Sequence, residues 1–312
     1  MPRALAELPD MHAVHVALMM ASLELRRPPE LLHEVAEQLD ARAPALPPQG
    51  LAGAASALSQ LGPWSDPALG GALVEEACQK LELLGPRELT ALALAVATLH
   101  RRDQAFWQKA HGALFGLAGQ MTAGQVADTL LAVATAQLCP VNLLEGLQDQ
   151  LRRLRGELEA DEAITCAWAL CSMQLLSEGL HPELLERAVG GELAGKQAGQ
   201  LRQVALTMEL EPAALRAREA LPERLRARLR ERADAGAEHG QGDEGVAEEL
   251  AELLGESGAG LALSEQVGGF YVVDLAVRPR EGPPIAVLLD GAAHAADEVP
   301  ADVWTVLKCR HL

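Results

Sequence analysis

Aromatic side chains are the scarcest class in this 312-residue chain: one Tyr, three Phe and four Trp, 3% in all. Sequence-tolerant binding of single-stranded nucleic acid normally stacks bases on aromatic rings, so that mode has few residues to work with. Long apolar runs are also missing. No stretch approaches the roughly 18 residues of a transmembrane helix, and no membrane span is expected. Cysteine pairs at metal or redox spacing are absent. Cys78, Cys139, Cys166, Cys171 and Cys309 form an odd set without a Cys-x-x-Cys. That speaks against a disulfide framework or a zinc ribbon and for reduced, mostly buried thiols. The Gly-rich stretch GPWSDPALGG (62–71) lacks the Lys-Ser/Thr of a phosphate-binding loop, and no kinase motif set occurs. The first twenty residues, MPRALAELPDMHAVHVALMM, show neither a secretory signal nor the Arg- and Ser-rich pattern of an organelle transit peptide. The chain is expected to start downstream of its natural N-terminus.

Positive charge is the other deficit, with 26 Lys and Arg against 44 Asp and Glu, net −18. It is unevenly spread. Residues 233–312 hold 15 acids and 4 bases, net −11, which leaves 29 and 22, net −7, for residues 1–232. Indiscriminate nucleic-acid binding is disfavoured by the total, while the longer part has room for local basic patches.

What the chain has in abundance is Ala and Leu in a repeating order. An Ala-rich apolar segment ends in Ser/Thr-x-Glu/Gln-Leu at Ser22–Leu25, Thr135–Leu138, Ser172–Leu175 and Thr207–Leu210, with looser copies at Leu58–Gly62 and Ala97–His100. Leu138, Leu175 and Leu210 are spaced by 37 and 35 residues, and Leu25 and Leu61 by 36. A period of about 37 lies in the range of helical solenoids. Each unit contains two helical segments. In QVADTLLAVATAQL-CP-VNLLEGLQDQLRRLRGEL, Pro140 ends the first, and Leu143, Leu144, Leu147, Leu151 and Leu154 make one apolar stripe along the second. The first segments are apolar almost all round and need cover on most sides. The expected fold is mainly α: a helical-repeat (α-α) solenoid of about six units over residues 11–235, its last unit turning charged in LRAREALPERLRARLRER. An acidic, Gly-rich linker follows at 233–245.

After the linker the period changes. EGVAEELAELLG predicts a short helix stopped by Gly255. Phe270–Val277, Ile285–Asp290 and Val303–Lys308 are β-branched, bounded by Gly and Pro, and predict three strands. They bring Asp274, Asp290 and Lys308 into one small unit, the way a metal-dependent nuclease assembles carboxylates and a Lys around a phosphate. YVVDLAV, IAVLLDGAAHA and TVLKCRHL resemble the RAP domain, whose pattern runs as an Asp in "vDia", then "iaiEvDGpsHf", then "tllKrrlL". Asp274, Asp290, Gly291, His294, Lys308 and Arg310 match it. The resemblance implies a restriction-endonuclease-like α/β fold over 246–312. It also implies helical repeats of octotricopeptide or FAST-kinase-like type before that domain, and a role in chloroplast or mitochondrial RNA metabolism. Two departures matter. Leu288 stands where the family has Glu, so the candidate catalytic set Asp274, Asp290, His294, Lys308 lacks an acid. The family's further strand and helix are expected beyond Leu312.

Arg101, Arg102, Arg152, Arg153 and Arg155 are the candidate RNA-binding residues, set against the commoner explanation of such runs as a solvated helix face. His12 and His15 lie three apart on an expected helix with no third ligand evident, so no metal site is expected, and no cofactor is implied. Three functions compete: an RNA-binding organellar factor acting on single-stranded transcripts, a protein-binding scaffold favoured by the acidic charge and few aromatics, and a nuclease disfavoured by Leu288.

Overall fold

The structure is a computed structural model. It describes residues 8–234 apart from 24, 26–28, 63–69, 100–103, 177–178, 194 and 212–213, and beyond them 251–252, 254, 260–267, 271–279 and 284–287. The chain is mainly helical, with a small three-stranded antiparallel sheet. It divides into two compact units, Met1–Leu175 and Leu176–Leu312.

In the first unit two kinds of helix alternate. One row is formed by α1 (Asp10–Ser22), α3 (Pro48–Leu61), α5 (Pro86–Thr98), α7 (Ala123–Thr135) and α9 (Ala160–Ser172). Their starts are 38, 38, 37 and 37 residues apart. The other row is α2 (Pro29–Arg42), α4 (Gly71–Lys80), α6 (Gln104–Leu117) and α8 (Val141–Leu154). Each first-row helix packs on the next of its own row, and each second-row helix does likewise. The first row is where the alanines are spent. In α9 every residue from Ala163 to Cys171 is buried, as a helix apolar all round demands. The second row is amphipathic. On α8 the buried stripe is Leu143, Leu144, Leu147 and Leu151, with Leu154 only half-buried.

The recurrent Ser/Thr-x-Gln-Leu ending is a helix cap. Gln137 and Gln174 take left-handed backbone (φ 54° and 59°). Gln137 N–H donates to Ala134 O (2.9 Å) and Leu138 N–H to Val133 O (3.0 Å). Gln174 N–H donates to Cys171 O (3.0 Å) and Leu175 N–H to Leu170 O (2.8 Å). These crossed bonds satisfy carbonyls that have no partner within the helix. Leu25 N–H makes the matching bond to Met20 O at 3.0 Å. The Ser or Thr of the motif adds a bond from its side chain, since the Ser22, Thr98 and Ser172 hydroxyls donate to the carbonyls of Leu18, Leu94 and Ala169. The copy at Thr207–Leu210 differs, because helix continues through Leu210 and Glu211 follows in extended backbone.

The opposite helix ends repeat too, a signal not read in the sequence. Leu46, Leu84, Met121 and Leu158 stand just before the helix caps and are buried. So are Leu51, Leu89, Val126 and Ala163 one turn inside. Apolar pairs at these positions fix the angle at which the chain enters each helix.

In the second unit, α10 (Leu180–Gly190), α11 (Lys196–Leu210), α12 (Leu215–Ala220) and α13 (Glu223–Asp234) pack together. Four arginines of α13 serve its neighbours, while Arg226 pairs with Glu223 on its own helix. Arg228 and Arg232 donate to Val189 O (3.1 Å) and Gly191 O (2.8 Å), capping the end of α10. Arg224 and Arg230 pair with Glu186 and Glu209. The sheet runs β1 (Gly260–Val267), β2 (Tyr271–Arg278), β3 (Ile285–Val287), with Leu263 opposite Leu275 and Val277 opposite Ile285. Two expected strands are observed, at Tyr271–Arg278 and Ile285–Val287, while Phe270 and residues 288–290 of the expected spans lie outside the described residues. The strand expected at Val303–Lys308 lies outside the described residues. β1 is an addition to the expected set, since its GLALSEQV has too few β-branched residues to register as a strand.

Gly substituted for Gln137 or Gln174 is expected to raise stability by up to about 1 kcal/mol, because a side chain in left-handed backbone costs about that much. In urea unfolding the midpoint should rise with an unchanged slope. Leu130→Ala, at a fully buried first-row site, should lower stability by about 2–5 kcal/mol.

Candidate nucleic-acid interface

The candidate basic cluster sits on the last turn of α8, where Arg152 and Arg153 meet the negative end of the helix dipole. Arg155 is the residue that ends the helix. All three side chains are exposed. Arg152 is partly neutralised, its Nη1 lying 2.6 Å from Asp149 Oδ1 one turn earlier. Both partners are more than half exposed, so that pair adds little stability. Arg153 has no ion-pair partner among the described residues. Gln150, on the buried side of the helix, donates from Nε2 to Met121 O at 2.9 Å and ties α8 to the turn before α7.

The other end of α8 forms one wall of an open cleft of about 270 Å³. Pro140, Val141, Asn142 and Leu143 line one side, and His111, Gly112 and Phe115 of α6 line the other. Trp107, His111 and Phe115 follow one another at i, i+4, i+8 and therefore share one face of α6. They grade outward: Trp107 is buried, His111 half-buried and Phe115 is 50% exposed. The imidazole lies 5.6 Å from the Trp107 ring, tilted by 37°. Its Nε2 is shut off from solvent and has no hydrogen-bond partner among the described residues. Burial lowers its pKa below the ordinary value of 6.5, so the ring is neutral at pH 7. Phe115 lies over Gly146 of α8, where a Cβ would come within 3.3 Å of the ring; the absent side chain lets the aromatic approach. The spacing WxxxHxxxF, in a chain with so few aromatics, is the signal that could have marked this cleft.

From Val141 to Arg152 is eleven residues, about 16 Å of helix. One exposed helix thus joins an aromatic cleft to a basic end. That arrangement suits a flexible polyanion with flat rings, which would place a ring against Phe115 and phosphates near the arginines.

The remaining sequence candidates are not brought to this place. Arg101 and Arg102 lie outside the described residues, as do Asp290, His294, Lys308 and Leu288. Asp274 stands in the middle of β2. His12 and His15 are exposed on α1, and no cluster of metal-ligating side chains occurs among the described residues. Of the thiols, Cys166 and Cys171 are buried, Cys78 is half-buried and Cys139 is exposed. Burial, reinforced by the charges of Glu162 and Asp128, pushes the Cys166 pKa far up, so it stays a thiol and is no nucleophile. No helix among the described residues is long and apolar enough to cross a membrane.

The depressed pKa of His111 carries a pH signature. In acid the unfolded chain takes up this proton first, so the neutral ring's contribution to stability is complete above pH 6.5 and is lost as the pH falls toward the folded value. His111→Phe keeps a ring against Trp107 and removes the titration. Urea unfolding at pH 7.5 and pH 5 should show the unsubstituted chain losing more stability than the variant over that interval.

No protein-family model matches this chain, and no curated protein matches it.

Proposed function

We propose that this protein is a single-stranded RNA-binding factor, acting in the processing, stability or translation of chloroplast or mitochondrial transcripts. Its helices would form an α-α solenoid of about 37-residue units, carrying a RAP-like α/β unit at the C-terminal end. The observation that carries the reading is the exposed length of α8. Phe115 and His111 of α6 lie beside one end of it, and Arg152, Arg153 and Arg155 stand at the other. Further support is the net charge of −7 on residues 1–232 against −18 for the whole, and the resemblance of the C-terminal segment to the RAP domain. Arg101 and Arg102 remain candidates of the sequence and lie outside the described residues. No hydrolysis is proposed, because Leu288 replaces an acid of the resembled site.

A protein-binding scaffold is the second reading. It is favoured by Arg152 already paired with Asp149 and by large apolar side chains left exposed on α1.

Titration of the chain with a labelled random-sequence RNA at two salt concentrations separates the two. Binding should weaken with salt through counterion release. Arg152→Ala, Arg153→Ala and Arg155→Ala together should weaken it for all sequences alike and flatten the log–log salt slope by about 1–2. Phe115→Ala should weaken binding by roughly 1–3 kcal/mol, the worth of one stacked base, and leave the slope unchanged. Absence of saturable binding at low salt would favour the scaffold.

A further inference from the structure

The arginines of α13 divide between two sides of the helix. Arg224, Arg228 and Arg232 follow one another at i, i+4 and i+8 and share the side turned to α10. They are committed there, to Glu186, to Val189 O and to Gly191 O. Arg226 and Arg230, also four apart, share another side. Together with Arg218 of α12 they line a small cleft against α11, which has no residue in common with the cleft at Phe115. Its floor is apolar, built from Met208, Leu221 and Leu229, all buried. Three guanidiniums line this cleft against a single lining carboxylate, Glu209.

The carboxylates at hand leave that charge only partly met. Glu223, outside the lining, accepts from Nη2 of Arg226 at 2.7 Å. Nε of the same guanidinium is shut off from solvent and has no hydrogen-bond partner among the described residues. Glu209 accepts from Nε of Arg230 at 2.7 Å. Arg218 has no ion-pair partner among the described residues. Even with Glu223 counted, three positive groups face two negative ones, in a chain that is net −18. Like charges gathered over an apolar floor, in a chain with carboxylates to spare, mark a place arranged for an anion from outside.

We propose that this cleft binds a terminal phosphate group, which displaces the Glu209 carboxylate from Arg230 and bridges Arg218, Arg226 and Arg230. The guanidinium fork matches phosphate oxygens as well as carboxylate ones, and the count of acceptors decides between them. Glu209 and Glu223 each engage one arginine. A terminal phosphate carries three acceptor oxygens and about 1.5 to 2 negative charges at pH 7, enough for all three. The enclosed space is about 20 Å³, room for about one water. No ring or sugar enters it, and the anion sits at the mouth with the arginine heads. Arg230 and Glu209 are 58% and 43% exposed. A pair so exposed adds little stability and yields to a more highly charged competitor. The phosphate is either free or the end group of a nucleotide chain, and the site does not rest on the RNA-binding reading of α8.

Calorimetric titration of the full chain with inorganic phosphate at low salt tests this. Saturable binding is expected, with a Kd on the order of 1 mM. Arg218→Gln and Arg230→Gln should each weaken it about fivefold or more, through loss of a charge-assisted bond. Glu209→Gln should strengthen it about threefold by removing the internal competitor. Arginines that only held α11 and α13 together would give no such gain. Acetate should bind roughly tenfold more weakly than phosphate, having fewer acceptors and less charge. A short single-stranded RNA with a 5′-phosphate, set against the same RNA with a 5′-hydroxyl, separates the two sources. Tighter binding of the phosphorylated form, lost in Arg218→Gln, assigns the site to RNA ends; equal binding of the two, alongside saturable inorganic phosphate, assigns it to free phosphate. Each variant should keep the urea midpoint of the parent chain, which separates loss of binding from loss of fold. No saturable phosphate binding up to about 20 mM, well above the expected Kd, would overturn the proposal. So would binding indifferent to Arg218→Gln, or weaker binding in Glu209→Gln.

Discussion

Close approach of the first-row helices is the constraint on which the first unit depends. It requires small residues at the stacking face, and Gly50 and Gly53 of α3 show how strictly: a single added carbon would collide with Met11 or Val14. With backbones this near, little room is left for polar groups, and those present are matched within the stack. Thr129 donates its proton to Gln125 O (2.7 Å), which leaves Thr90 as the donor across to Thr129 Oγ1. A buried hydroxyl without such a partner would be destabilising by about 1–3 kcal/mol. The capping motif belongs to the same economy of space. Ending α7 with two crossed backbone bonds at Gln137 and Leu138 lets the chain leave the first row at once for α8 of the second.

Because the first row is dry and tightly packed, chemistry is displaced to the second row and its ends. Cys166 and Cys171 are inert for that reason. The half-buried ladder Trp107–His111–Phe115 and the exposed arginines of α8 stand where side chains reach solvent. Opposite roles for arginine follow from local geometry. On α13, Arg228 and Arg232 reach carbonyls at the end of α10 and are committed to holding helices together. On α8, Arg153 extends from the final turn with no ion-pair partner among the described residues.

The acidic excess shapes what surfaces are available. Much of it lies in residues 233–312, so the repeats keep a modest balance, and both signs occur together on α2, α4, α5 and α8. Lys80–Glu76 at 2.9 Å is local, one turn apart, and stabilises its own helix, whereas Arg42–Asp10 at 3.4 Å joins α2 to α1. The few aromatics in the chain make Phe115 conspicuous as an exposed ring.

Sequence alone determined the helical class, the period near 37 residues, the chain break at Pro140 and the apolar stripe of α8, because these follow from local spacing and from backbone chemistry carried by single residues. It marked the Ser/Thr-x-Gln-Leu motif as a helix end, while its meaning as a left-handed cap needed the backbone angles at Gln137 and Gln174. Tertiary structure decided the rest. That Met19 is exposed while Ala57, Ala95, Ala132 and Ala169 are buried depends on which helix has a neighbour among the described residues. The cleft joins Phe115 to Asn142, 27 residues apart, through packing of α6 against α8 that no local pattern encodes. Arg152 and Arg228 are alike in a sequence of charged helices. Only the positions of Asp149 and of the end of α10 distinguish an arginine paired on its own helix from one capping another, since electrostatic and hydrogen-bond partners are set by distance in space.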